Sequence, residues 1–159
     1  MRNLLRKLRS AWQLSFRQKL WFVLCYPLSG IVRAMVLTIP FKWLKRLLGV
    51  HHKNFQLCPL VTDEQLSRAC EIGRTIAIID KYTPWKSNCM VEAILSRWLL
   101  AVYDIPYALY MGAYLTKNPN EPMKAHAWVR VGSRIIVGAR GHKRYGVTAT
   151  FLDKSLVKF

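Results

Sequence analysis

One cysteine and one histidine have types and spacing that could do chemistry together. Cys89 opens a run of helical pattern, and His126 follows 37 residues later in the strand-like stretch Ala125–Val129. Several classes of cysteine hydrolase place a thiol at the start of a helix and a histidine on a strand to assemble a nucleophile and its base. The spacing therefore predicts Cys89 as a nucleophile and His126 as the general base and acid.

The position of Cys89 distinguishes it from the other cysteines. Asn88 is a preferred N-cap residue, which places Cys89 in the first turn of a helix. There the unpaired backbone amides and the helix dipole favour a thiolate and could hold an oxyanion. Cys25 and Cys70 lie in apolar helical runs, and Cys58 precedes a proline. A purely structural role for Cys89 is the alternative.

His126 lies on the same side of its predicted strand as Trp128 and Arg130, because side chains alternate along a strand. Taken alone, a half-buried structural histidine explains this pattern as well. The joint order of a helix-start cysteine, a strand histidine and Trp128, which would screen the imidazole from water, favours the catalytic interpretation.

Two helices and a set of strands must position these residues. Thr62 and Gln65 form a capping-box pattern that begins a helix running to about Lys81, and the helix after Asn88 ends before Asp104. Beyond Pro106 the hydrophobic period changes to two. Strands are predicted at Tyr107–Leu115, His126–Val131, Arg134–Val137 and Val147–Leu152. This order predicts an α+β fold with an antiparallel sheet.

The N-terminal segment differs in charge from the rest of the chain. No acidic residue precedes Asp63, although many of the 25 lysines and arginines do. We predict a basic, hydrophobic helical segment over residues 1–56 and a catalytic domain over residues 57–159. Within the segment, residues 1–19 have the pattern of a basic amphipathic helix. Such a segment suits an anionic membrane surface or an acidic partner.

The apolar stretch Leu20–Phe41 contains a single charge, Arg33, and is long enough for a spanning helix. Pro27 and Gly30 interrupt the pattern. Two interpretations remain open: a membrane-spanning helix, or a pair of amphipathic helices that pack on the domain or lie in the interface. The interruptions favour the second. A short helix is expected over Phe41–Gly49, with His51 and His52 in the loop that follows.

Composition excludes several classes of protein. A hydrophobic content of 52% excludes a disordered chain. The basic residues alternate with aliphatic residues, which argues against nucleic acid as a partner. The four cysteines lack metal-ligand spacing, so neither a metal nor an organic cofactor is expected. Free thiols and the absence of a signal-peptide pattern indicate a cytoplasmic protein. Peripheral association with the inner face of the cell membrane is compatible with this location.

Several stretches together carry a resemblance to a known family. They are Pro84–Cys89, Arg97–Leu100, Ile105–Pro106, Tyr110–Gly112, Ala125–Val129 and the N-terminal Phe41–Gly49. In these stretches the chain resembles the transglutaminase-like cysteine proteases that remove leaders from lasso-peptide precursors. The His-Ala-Trp block alone is also similar to arylamine transferases and to general transglutaminase-like domains. The resemblance implies a papain/transglutaminase-like core, in which the nucleophile helix packs on the sheet.

One position departs from the family pattern. The family has an aspartate near the end of the strand after the histidine strand, where it orients the imidazole. This chain reads Val137-Gly138-Ala139-Arg140 there, and its only carboxylate side chain after His126 is Asp153. Three explanations remain open. A Cys-His dyad suffices with a backbone carbonyl or water fixing the tautomer, Asp153 folds back as the third member, or activity has been lost.

The resemblance implies cleavage of a ribosomally made precursor peptide at the leader–core junction, followed by macrocyclisation by a separate macrocyclase. The first 60 residues are too basic and too apolar for the small leader-recognition module of the family, so a separate leader-recognition protein is expected. Two alternatives remain: a catalytically weak or silent scaffold of the maturation complex, and an acyltransferase with the same Cys-His chemistry.

Overall fold

The computed structural model describes residues 15–52, 56–85 and 88–157, and it confirms the predicted α+β fold. The helices are α1 (Phe16–Thr38), α2 (Phe41–Leu44), α3 (Asp63–Tyr82) and α4 (Cys89–Val102). The strands are β1 (Val50–His52), β2 (Ala108–Leu115), β3 (Met123–Val131), β4 (Arg134–Val137) and β5 (Gly146–Leu152). Short 3-10 turns cover Lys45–Leu47, His142–Arg144 and Lys154–Leu156.

The five strands form one antiparallel sheet in the order β1-β5-β2-β3-β4. Helix α4 packs on β3 and β4, α3 packs on β4, and α1 packs on both of these helices. The main core lies between the helices and the sheet. A smaller apolar cluster includes Tyr110 and Trp128, which alternate with the core residues along β2 and β3.

Side-chain caps fix where α3 and α4 begin. The Thr62 hydroxyl accepts a hydrogen bond from the Gln65 amide, and the Gln65 side chain returns one to the Thr62 amide, which confirms the predicted capping box. The Asn88 side chain accepts from the Val91 amide at 3.1 Å. Cys89 is therefore the first residue of α4, as the sequence predicted.

The prediction that Pro27 and Gly30 divide the apolar stretch into two helices is wrong. Helix α1 runs through both residues after a capping box between Ser15 and Gln18. Pro27 lies on the exposed side, where water can reach the backbone carbonyl that lacks its helical donor. A Cβ at Gly30 would lie only 3.1 Å from the Trp85 ring. The predicted helix over residues 1–19 falls mostly outside the described residues.

Helix α1 is part of the folded core. Trp21, Cys25, Ser29 and Val32 are buried on its inner side, and the Trp21 indole donates to the Tyr103 hydroxyl at 3.1 Å. With its length and a mean hydropathy of 1.8, α1 could also cross a membrane. Core helices of soluble proteins and signal sequences reach the same length and hydropathy.

The short strand β1 differs from the sequence prediction. The sequence pattern predicts a loop at His51 and His52, whereas in the structure they pair with Phe151 and Thr150 of β5. Isolated histidines carry no strand signal, so this pairing depends on contacts that are distant in sequence. The expected helix over Phe41–Gly49 is shorter, and Gly49 has a φ of +127°. Residues 50–52 thus extend the domain's sheet, and the division at residue 56 remains a prediction.

Packing of α3 against α4 brings two acidic residues near each other. Burial, and secondly the negative charge of Asp80 on α3, raise the pKa of Glu92 on α4 from 4.5 to about 7. A folded-state pKa above the unfolded value means that the folded protein binds this proton more tightly. The contribution of Glu92 to stability is therefore greatest below about pH 4.5, and it declines as the pH rises to about 7.

We expect Glu92→Gln to stabilise the protein at about pH 8 but not at about pH 4, because the amide removes the buried charge. The carboxyl keeps some contact with solvent, so the gain is on the order of 1 kcal/mol, or about 2–4 °C in Tm. Thermal unfolding at both pH values measures it. Glu71→Gln on α3 is the control, and an equal gain in that variant would contradict the assignment to Glu92.

Candidate functional site

Cys89 and His126 line the same cavity, which has a volume of about 310 Å³. It lies where the start of α4 meets β2 and β3, and the end of α1 with α2 supplies another wall. Its lining residues are Val36, Ile39, Phe41, Leu44, Asn88, Cys89, Met90, Met111, Ala125, His126 and Ala127. The structure therefore brings the predicted nucleophile and the predicted base to one mostly apolar cavity.

The environment of the Cys89 thiol raises its pKa above the usual 9.0, and burial is the main cause. The negative charge of Glu92 also raises the thiol pKa. Hydrogen bonds from the backbone amides of Ala127, Met90 and Cys89 itself lower it. The helix start thus acts in the predicted direction, but the net expectation of a favoured thiolate is wrong because desolvation outweighs it. A thiol with a raised pKa keeps its proton at neutral pH, so a nucleophilic role would require a base.

A backbone carbonyl orients the His126 ring. Its Nε2 lies 2.8 Å from the carbonyl oxygen of Gly138, just beyond the end of β4. A carbonyl oxygen can only accept a hydrogen bond, so Nε2 carries the proton of the neutral ring. Nδ1 then has a free lone pair, which is what a general base requires. Gly138 lies in the stretch where the resemblance to lasso-peptide leader proteases implies an orienting aspartate side chain.

The turn that presents this carbonyl requires glycine. Gly138 has a φ of +71°, and a Cβ there would lie 2.3 Å from the Ala127 oxygen and 2.9 Å from the Trp128 Cα. Backbone atoms in a sheet cannot move aside as a flexible side chain can. Residues 137–140 contain no acid or amide side chain, and although the glycine after the strand is visible in the sequence, its type does not show where its carbonyl points.

Aromatic rings pack around His126. The Trp128 ring stacks 6.0 Å from the imidazole between ring centres, and the Tyr145 ring lies at 5.0 Å. Gly112 pairs with His126 across the two strands, and a Cβ there would lie 2.8 Å from Tyr145 and 2.9 Å from Trp128. Trp128 occupies the screening position that the sequence predicted, whereas Tyr145 carries no motif that singles it out.

Asp153 does not reach His126. Strand β2 pairs Gly112 with His126 and Ala108 with Leu152, the residue before Asp153. Four residues along a strand separate these two points, a distance of about 13 Å. The Asp153 carboxylate instead accepts a hydrogen bond from the Ser155 amide at 2.9 Å and caps the last 3-10 turn. Of the three explanations, the structure therefore does not support the one in which Asp153 folds back as the third member.

A second cavity, of about 420 Å³, has both Cys58 and His142 in its lining. The Cys58 thiol is 3.0 Å from the Gly132 carbonyl and donates to it, and the Nδ1 of His142 is 2.7 Å from the Ala139 carbonyl. Cys58 is not at a helix start, so it lacks the amides that surround Cys89. A larger, open depression of about 710 Å³ contains Cys70 but no histidine.

No group of three or more potential metal ligands occurs among the residues that the structure describes. No curated protein and no solved structure matches the chain significantly. A family model described as "Transglutaminase-like superfamily" matches residues 35–150. That superfamily includes cysteine proteases and acyltransferases. The matched range spans most of the chain and includes α2, α3, α4 and strands β1 to β4 in full, so this protein belongs to the transglutaminase-like superfamily.

Proposed function

We propose that this protein is a cysteine endopeptidase that removes the leader peptide from a ribosomally synthesised lasso-peptide precursor, so that the core can be macrocyclised. The shared cavity of Cys89 and His126 carries the peptidase part of the proposal. The substrate class rests on the resemblance of the motifs around Trp85, Cys89 and His126. We further propose that a separate protein recognises the leader, that a macrocyclase acts on the released core, and that the protein lies in the cytoplasm.

The reaction begins with proton transfer. Nδ1 of His126 takes the proton from the Cys89 sulfur, and the thiolate attacks the scissile carbonyl carbon to form a C–S bond. The negative charge that develops on the carbonyl oxygen lies near the backbone amides at the start of α4. When the intermediate collapses, the C–N bond breaks and His126 returns the proton to the leaving amine. The released amine is the new N-terminus of the core.

Water then completes the cycle. His126 accepts a proton from water as the water oxygen attacks the thioester, and the C–S bond breaks to release the leader as a carboxylic acid. The proton returns to the Cys89 sulfur. Since the thiol pKa is raised, each turnover depends on this proton transfer rather than on a standing thiolate.

Cys89→Ala tests the nucleophile directly. We expect release of the leader to fall at least about a thousandfold, because no other group forms the thioester, while precursor binding persists. Cys58→Ala is the matched control, since it removes the thiol of the second cavity, and its rate should stay within about twofold of the wild type. Mass spectrometry follows cleavage of a lasso-peptide precursor that is supplied to the protein together with a leader-recognition protein.

Two results would contradict the proposal. Unchanged maturation by Cys89→Ala would identify a silent scaffold. Loss of cleavage in Cys58→Ala with normal cleavage in Cys89→Ala would move the chemistry to the second cavity.

An acyltransferase would use the same thioester and differ only in the acceptor. The superfamily contains both kinds of enzyme, so this alternative has the same structural support at Cys89. We expect that a primary amine such as glycine methyl ester, present during turnover, leaves the carboxylic acid as the main leader product. Mass spectrometry separates the acid from the amide, and predominance of the amide would favour the transferase.

Gly138→Ala tests the positioning of His126 by the carbonyl. We expect cleavage to slow roughly 10- to 100-fold, because the added Cβ meets the β3 backbone and displaces the carbonyl. Gly141→Ala is the matched control: Gly141 has a φ of +77°, and its Cβ would meet nothing within 4 Å. Both variants should lose about 1 kcal/mol from the left-handed backbone, and Gly138→Ala should lose more because its Cβ also meets the β3 backbone.

Nitrogen-15 NMR of the His126 ring provides a readout that general destabilisation would not change. In the wild type and in Gly141→Ala, the proton of the neutral ring should lie on Nε2. In Gly138→Ala the ring should populate both tautomers. An unaltered tautomer in Gly138→Ala would show that this carbonyl does not select it.

A further inference from the structure

Helix α1 has an exposed apolar stripe opposite its buried side. Side chains that recur at helical spacing are between 49% and 82% exposed, and they are Phe16, Leu20, Val23, Leu24, Ile31 and Leu37. The stripe continues on α2, where Phe41 and Trp43 are about half exposed. We call these eight residues the outer stripe. A folded protein rarely exposes so long an apolar surface without a partner for it.

Basic side chains border the outer stripe. Arg17, Lys19, Lys42, Lys45 and Arg46 are exposed, and no acidic residue precedes Asp63 in the sequence. The Arg46 guanidinium lies 4.5 Å from the centre of a Trp43 ring, and the Lys42 ammonium lies 5.8 Å away. Tryptophan beside lysine and arginine is the usual composition at the boundary between lipid tails and headgroups.

We propose that the outer stripe docks the protein on an anionic lipid bilayer, with α1 lying in the plane of the interface. The apolar side chains would enter the acyl boundary, and the bordering lysines and arginines would contact lipid phosphates. At 23 residues, α1 offers a contact line of about 34 Å.

The contacts on the inner side of α1 argue against a spanning helix. The Trp85 indole donates to the Ser29 hydroxyl at 3.1 Å, and the Trp21 indole donates to Tyr103. Insertion across a bilayer would remove both contacts and would place Arg33 among the lipid tails. Charge argues against a second copy of this chain, because pairing two outer stripes would bring their basic borders together.

Docking would also determine what lies near the cavity. Phe41 belongs to the outer stripe and also lines the cavity that contains Cys89. Val36 and Ile39, at the end of α1 but outside the stripe, line the same cavity. The same helices therefore form a wall of the candidate site and the membrane-facing surface. If the proposed function holds, cleavage would take place beside the lipid surface.

Vesicle sedimentation of the full-length protein tests the docking proposal and needs no enzymatic assay. Vesicles of phosphatidylcholine, with and without phosphatidylglycerol, are the probes. We expect binding to the anionic vesicles to be at least about tenfold tighter than to pure phosphatidylcholine and to weaken with salt. Val23→Glu should weaken anionic binding about tenfold or more, since it places a charge in the stripe.

Val102→Glu on α4 is the matched control, because Val102 is 72% exposed and Val23 is 66% exposed. Its vesicle binding should equal that of the wild type. Circular dichroism verifies folding, and Trp43→Ala, which adds no charge, serves as a second test, with an expected loss of severalfold. Equal binding by wild type, Val23→Glu and Trp43→Ala would overturn the proposal.

Two other outcomes would also overturn it. Wild-type protein that resists alkaline extraction from the vesicles would identify a spanning helix. A dimer in light scattering that Val23→Glu dissociates, without vesicle binding by the wild type, would assign the outer stripe to a second copy.

Discussion

The close approach of α4 to β3 at Ala127 is the contact on which the candidate site depends. Ala127 is buried, and its small side chain lets the start of the helix come near enough for the Ala127 amide to hydrogen-bond the Cys89 sulfur. Its neighbour His126 projects from the opposite side of the strand, where its ring meets Trp128 and the Gly138 carbonyl. Strand β3 therefore positions both candidate groups, the Cys89 sulfur through a backbone amide and the imidazole as one of its own side chains, and a shift in its register would disrupt both.

The site combines opposing electrostatic effects rather than one dominant charge. Burial disfavours the thiolate, and so does the nearby Glu92, while three backbone amides favour it. Amides carry partial charges that do not titrate, so their effect persists at every pH. The Gly138 carbonyl likewise carries a partial charge that does not titrate. It selects the tautomer of His126 without adding a full negative charge. A carboxylate in its place would also stabilise the imidazolium, so a carbonyl orients the ring but supports proton transfer less strongly.

Local sequence signals predicted most of the elements, and the structure places the two predicted site residues, Cys89 and His126, in the lining of one cavity. The capping box of Thr62 and Gln65 and the single cap by Asn88 predicted where α3 and α4 begin, because capping involves residues only three apart. The alternation of apolar and polar residues predicted strands β2 to β5. The errors occur where distant contacts decide. Trp85 against Gly30 supports an uninterrupted α1, and pairing with Phe151 makes His51 part of a strand. The group that orients His126 is a main-chain oxygen, which every residue has, so residue types alone could not identify its position.

Helix α1 shows why an apolar segment can satisfy a membrane criterion and still belong to a core. Its inner side buries Trp21, Cys25 and Val32 against the domain, which only a folded neighbour can provide. Its outer side has the same apolar character and no such neighbour among the described residues. A helix with two apolar sides lowers its free energy most when both leave water, so the domain and a lipid surface can each cover one side without competing. The end of this helix also lines the cavity of Cys89, so the contact that holds α1 to the domain would fix both the shape of the site and its distance from the bilayer.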